Sequence, residues 1–84
     1  IYTDDIINKV GATYNKLNPN ESEIKTLTNL IINENNLRLN KNSLEKMIKE
    51  KIIEDFKNGN TVIINGWVLS KTEARQCALY KLIN

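Results

Sequence analysis

The sequence predicts a mainly α, α+β fold: three helices, one β-hairpin, then a C-terminal helix. Three observations carry that expectation. Apolar residues recur at helical spacing in three segments before residue 58. The period then switches to that of strands around Asn65-Gly66. Ser70-Lys71-Thr72-Glu73 next opens a segment with small residues at helical spacing.

Thr3, followed by Asp4 and Asp5, predicts the first helix start, with a capping hydroxyl and acids at the positive end of the helix dipole. Ile6, Ile7, Val10, Tyr14 and Leu17 form its apolar stripe, and Gly11 marks either a close helix crossing or a weak helix. Asn18-Pro19-Asn20-Glu21 reads as the next N-terminus: a capping side chain, proline at N1 and glutamate at N3. Ile24, Leu27, Leu30 and Ile31 follow on one side. Asn42-Ser43-Leu44-Glu45 repeats the capping pattern ahead of a third stripe, Leu44, Met47, Ile48, Ile52 and Phe56, with Ile53 at its edge. Asn58-Gly59 ends that helix, because glycine readily takes the left-handed conformation just past a helix.

The hairpin occupies about residues 61–69. Asn65-Gly66 between Val62-Ile63-Ile64 and Trp67-Val68-Leu69 signals a two-residue type I′ turn. That register pairs Ile64 with Trp67, Ile63 with Val68, and Val62 with Leu69. Ser70 to Glu73 is then a third capping box, with Leu69 placed as its staple residue. In the last helix Ala74, Cys77 and Ala78 form a small face that lets another backbone approach, expected to be the hairpin or the third helix.

Eighty-four residues make one domain, 1–84, with a thin core. A chain of this length buries only about 60–65% of the surface its unfolded form exposes. Its one cysteine, Cys77, cannot form a disulfide within these residues, and there is no histidine for an ordinary zinc site. Cys77 is expected to be a buried small hydrophobe. Twelve basic and ten acidic residues are mixed along the chain, so nucleic acid and anionic membrane are not favoured partners. No apolar run approaches the ~20 residues of a membrane span. The first residue is Ile1 rather than methionine, pointing to a removed upstream signal peptide, a longer precursor or a cloned boundary. A periplasmic or secreted location is the expectation.

Catalysis by this chain alone is not expected, and no cofactor is called for. Histidine, the usual neutral-pH acid–base group, is missing. The paired acids Asp4/Asp5 and Glu21/Glu23 fall in predicted first turns, where the helix dipole already favours them. There is no glycine-rich phosphate loop.

The hairpin is the most informative segment. Val62, Ile64, Trp67 and Leu69 share one face while Ile63 and Val68 take the other, so both faces are apolar. A lone two-stranded ribbon is marginal in water and needs cover. Either the helices wrap it completely, with Trp67 in the core, or one face, with Trp67 near its centre, docks on another protein. The candidate partner-binding residues are therefore Trp67, Val68 and Ile63, with Arg75 either a surface charge, solvated or ion-paired, or a contact to a partner's carboxylate. The expected partner is a larger protein subunit or a second copy of the chain.

The string from Gly66-Trp67-Val68-Leu69-Ser70 through Thr72-Glu73-Ala74-Arg75 to Cys77-Ala78-Leu79 resembles a C-terminal signature of small bacterial proteins. That resemblance implies an exported accessory chain accompanying a larger enzyme such as an oxidoreductase. It carries over no functional residues. The function expected is thus a non-enzymatic interaction or accessory subunit. The alternative is a winged-helix-like nucleic-acid-binding domain, with the third helix as reader and the hairpin as wing. Against it, Lys46, Lys49, Lys51 and Lys57 are offset by Glu45, Glu50, Glu54 and Asp55 on that helix, and the turn has no basic residue.

Overall fold

The computed structural model describes residues 3–84, apart from the side chain of Glu34. Four helices and one antiparallel hairpin follow in order: α1 (Asp4–Leu17), α2 (Ile24–Ile31), α3 (Lys41–Lys57), β1 (Thr61–Ile64), β2 (Trp67–Ser70) and α4 (Lys71–Ile83). Short 3₁₀ turns at Pro19–Glu21 and Glu34–Asn36 link the first three helices. The α+β class and the element order are as the sequence predicts.

Local chemistry sets most boundaries. Thr3 caps α1, its hydroxyl accepting from the Ile6 N–H at 3.3 Å. Ser70 and Glu73 form a complete capping box on α4: Glu73 N–H donates to Ser70 Oγ at 2.9 Å, and Ser70 N–H donates to Glu73 Oε1 at 3.0 Å. Gly59 (φ +70°) ends α3. Asn65 (φ +53°) and Gly66 (φ +83°) are both left-handed, as a type I′ turn requires, and the register pairs Ile64 with Trp67 and Val62 with Leu69.

Two starts differ from expectation. Asn18-Pro19-Asn20-Glu21 makes only a 3₁₀ turn, Glu23 is extended (φ −139°), and α2 begins at Ile24 without a side-chain cap. The cause lies elsewhere in the chain: the Glu21 carboxylate is drawn to Tyr14 and Arg75, so it does not reach back to close a capping box. For α3 the cap is Asn40 rather than Asn42, with Asn40 Oδ1 accepting from Ser43 N–H at 2.9 Å.

The core is the cluster Val10, Tyr14, Leu27, Ile64, Leu69, Ala74, Cys77 and Ala78, with Ile6, Ile7, Val62 and Leu79 packed around it. It joins α1, α2, the inner hairpin face and α4. The predicted stripe residues Leu17, Ile24 and Phe56 are exposed, as is the edge residue Ile53. In α3 the stripe residues Leu44, Met47, Ile48 and Ile52 are only half-buried, so this helix covers the core from one side.

The backbone that comes closest to the small face on α4 is that of α1 at Gly11, rather than the hairpin or α3, although Ala74, Cys77 and Ala78 also share the core cluster with Ile64 and Leu69 of the hairpin. A Cβ added at Gly11 would stand 2.2 Å from the Cys77 carbonyl oxygen and 2.8 Å from its carbon. Both obstacles are backbone and neither can swing aside. Asn15, one turn on, donates from Nδ2 to the Ala78 carbonyl at 3.2 Å and pins the same crossing. Gly11→Ala gains about 1 kcal/mol of helix propensity. Forcing the helices apart costs about 1–3 kcal/mol or more. A net loss of stability is therefore expected, measured as a lower urea midpoint at an unchanged m-value; a raised midpoint would show that the helices do not meet here.

Candidate functional site

The hairpin's two faces differ sharply. Ile64 and Leu69 are buried and Val62 packs beside them, so this face closes the core. Ile63 and Val68, paired across the strands on the opposite face, are 73% and 58% exposed. The ribbon is therefore not wrapped completely. Trp67 falls on the inner face, opposite Ile64 and next to the turn, and is 41% exposed. It is neither a fully buried core residue nor the centre of the outer face. The four candidate residues thus divide: Ile63 and Val68 share one open face, Trp67 sits at the rim of the other, and Arg75 lies on α4.

A two-residue turn makes Ile64–Trp67 the hydrogen-bonded closing pair, so the backbone groups of Ile63 and Val68, one step further along, point away from the partner strand. Neither makes a backbone hydrogen bond outside the ribbon among the described residues. The N–H of Ser70, further along β2, is occupied by Glu73.

Arg75 is turned inward. Its Nε donates to Glu21 Oε1 at 3.0 Å and its terminal nitrogen to Oε2 at 3.4 Å, while the Tyr14 hydroxyl donates to Oε1 at 2.9 Å. The Arg75 side chain is only 15% exposed. Its carboxylate partner is the chain's own Glu21, so of the expected alternatives Arg75 is ion-paired rather than solvated, and turned inward rather than at the surface. Burial raises the Glu21 carboxyl, but the bonds from Arg75 and Tyr14 and the charges of Arg75 and Lys71 outweigh it and hold it below its ordinary value. Burial opposes the Arg75 charge too, and the Glu21 bonds again win, leaving its pKa above the ordinary value.

A second charged centre was not singled out from the sequence. Asp55 is 7% exposed and joins the end of α3 to the start of α4. Its Oδ2 accepts from the Thr72 backbone N–H at 2.9 Å and its Oδ1 from Asn60 Nδ2 at 3.2 Å. The Asn60 N–H donates to the Asp55 carbonyl at 2.7 Å, and the Asn60 carbonyl accepts from Lys71 N–H at 3.1 Å. Burial pushes this carboxyl up, yet the bonds from Thr72 and Asn60 and the Lys51 charge leave it below its ordinary value. One turn earlier, Lys51 donates from Nζ to the Leu30 carbonyl and, at 3.1 Å, to that of Ile31, closing the C-terminus of α2. Burial, then the Arg75 charge, lowers the Lys51 pKa. A sequence signal existed: Ile48, Lys51, Ile52 and Asp55 share one helical face, so two charges interrupt an apolar stripe.

Arg75, Asp55 and Lys51 are each committed to contacts within the chain. An open groove of about 650 Å³ runs along α3 past Glu50, Lys51, Glu54 and Asp55, but Lys51 and Asp55 are already engaged. A smaller recess of about 270 Å³ lies between Ile7, Cys77 and Tyr80. Burial, reinforced by the Glu73 charge, raises the Cys77 thiol, which keeps it protonated and a poor nucleophile. Among the described residues no three His, Cys, Asp or Glu side chains are placed to hold a metal ion, and no helix is long and apolar enough to cross a membrane. Comparison with protein-family models, curated proteins and solved structures gives no match.

The two depressed carboxyls set the acid behaviour. Their folded pKa values lie below the ordinary 4.5 of Glu21 and 3.8 of Asp55. The stability they contribute is therefore complete above those values and is lost as pH falls through the folded ones. Asp55→Asn is expected to cost about 1–3 kcal/mol at neutral pH, since Thr72 and Asn60 lose a charged acceptor. The deficit should shrink on acidification to about pH 3. Urea unfolding at both pH values checks this, and an acid limb identical to that of the unaltered chain would rule Asp55 out as a linked group.

Proposed function

We propose that this chain is a non-enzymatic interaction subunit that docks on a larger protein through the outer face of its hairpin, with the Trp67 rim as a flank. The single observation carrying the proposal is the Ile63–Val68 pair. Two β-branched aliphatic side chains lie opposite one another, more than half exposed, on a ribbon whose other face closes the core. A two-stranded ribbon of this size is marginal without cover on its faces, and a partner seated on Ile63 and Val68 would supply it. Edge backbone groups at the same two residues give such a partner hydrogen bonds as well as apolar contact.

The charged side chains support the same reading over nucleic-acid binding. On α3, Lys51 is committed to the end of α2, while the exposed Lys46, Lys49 and Lys57 share the helix with exposed Glu45, Glu50 and Glu54. Phosphate recognition needs a basic field that such a surface does not sum to. The bacterial origin, the export and the oxidoreductase partner implied by the Gly66–Leu79 signature belong to this proposal as its most specific form.

The test is affinity isolation of the native chain from its source cells, run beside two variants. Ile63→Thr/Val68→Thr keeps strand propensity and alters only exposed side chains, so stability should shift by no more than about 0.5 kcal/mol per site. Recovery of the partner subunit should fall at least roughly tenfold, a loss of about 1.4 kcal/mol or more in binding. Trp67→Ala should weaken recovery less, since Trp67 lies on the flank. Equal recovery with the double variant and the unaltered chain would overturn the proposal. Sedimentation of the purified chain separates a second copy from a different partner.

A further inference from the structure

The sequence contains two Asn-Gly pairs, Asn58-Gly59 and Asn65-Gly66. Such pairs share an intrinsic reactivity, because a following glycine has no side chain to shield its backbone nitrogen. Both asparagines are exposed, and a Cβ added at either glycine would meet nothing within 4 Å. Steric access therefore does not separate the two sites. Hydrogen bonding does.

At Asn58-Gly59 the backbone is locked. Asn58 N–H donates to the Glu54 carbonyl at 2.9 Å, Gly59 N–H to that of Phe56 at 3.3 Å, and Asn60 N–H to that of Asp55 at 2.7 Å. Asn60 is held again by the Asp55 carboxylate and by Lys71 N–H. Swinging the Gly59 nitrogen toward the Asn58 side chain means opening the end of α3 and its tie to α4. At Asn65-Gly66 the Gly66 N–H makes no backbone hydrogen bond among the described residues. The two tip residues follow directly on the Ile64–Trp67 pair and belong to no helix. Opening the tip displaces Asn65 and Gly66, neither of which is in a helix or in the core cluster.

We infer that Asn65 is a site of spontaneous covalent modification, converting to aspartate and isoaspartate in the folded protein while Asn58 is protected. The Gly66 nitrogen, having lost its proton to hydroxide, attacks Asn65 Cγ. The N–Cγ bond forms as the Cγ–Nδ2 bond breaks, and ammonia leaves with a proton taken from water. Water then opens the resulting cyclic imide at one carbonyl or the other. Attack at the side-chain carbonyl gives aspartate; attack at the backbone carbonyl gives isoaspartate, which carries the chain through the side-chain methylene. Either product puts a negative charge at the hairpin tip. Isoaspartate also lengthens the two-residue turn that sets the register of Ile63 against Val68.

The experiment incubates the folded chain at mildly alkaline pH and follows each Asn-Gly peptide by mass spectrometry, with fragmentation that separates aspartate from isoaspartate. A parallel incubation in denaturant measures the two intrinsic rates. Conversion at Asn65 should outrun Asn58 in the folded chain by roughly tenfold or more, because local opening of a tip takes less free energy than opening a buried junction. In denaturant the two rates should approach one another. Asn65→Gly, which keeps the left-handed turn, should abolish product at the tip and leave the slow conversion at Asn58 unchanged. A folded-state ratio equal to that in denaturant, or faster conversion at Asn58, overturns the inference.

Discussion

The approach of α1 to α4 at Gly11 and Cys77 governs how everything else is arranged. With no room for even one carbon at Gly11, the two helices meet backbone to backbone. Ala74 and Ala78 extend the small face along α4, and Asn15 fixes the axial register by bonding the Ala78 carbonyl. A crossing this close buries little volume per residue, yet it brings Val10, Tyr14, Ile64 and Leu69 into one cluster that a wider crossing would leave loose. In a short chain with a thin core, the tightness of one helix pair substitutes for the size of the core.

Charged groups then attach the remaining elements to that pair. Arg75 on α4 reaches Glu21 ahead of α2, Asp55 at the end of α3 receives Thr72 at the start of α4, and Lys51 closes the end of α2. Two of the three contacts lie at helix ends, where backbone groups have no intrahelical partner. The result is that α3, whose apolar stripe is only half-buried, is anchored by its polar atoms as much as by its hydrophobic ones. Removing one partner from such a pair leaves the other buried and uncompensated, so these sites are sensitive to substitution.

How much of this was legible in the residues depended on range. The hairpin register, its turn and the Ser70 capping box were readable because each is set by neighbours a few residues apart. The start of α2 was not: Pro19 and Glu21 carry a capping pattern, but the arginine that captures Glu21 is 54 residues away. Periodicity placed Leu17, Ile24 and Phe56 on apolar stripes without showing where each stripe runs past the edge of its neighbour. Gly11 was recognised as a crossing or a weakness, and only its contact with Cys77 decides for the crossing. The alternation of the strands puts Trp67 on the face of Leu69 and Ile64, but does not give its 41% exposure, which depends on the packing around the ribbon. Asp55 was read as one charge among many, although its position on the apolar face of α3 marked it out.

What remains is why the outer hairpin face carries Ile63 and Val68 at all. Strand propensity alone does not require them, since threonine is also β-branched and would hydrate the same face. Exposed ribbon edges are usually blunted by lysine, proline or a bulge, and β1 and β2 carry none of these. The core does not require them either, because it is closed by the opposite face. Two aliphatic side chains that neither the core nor the backbone demands, set side by side on a two-stranded ribbon, are the feature on which the proposed docking of another protein rests.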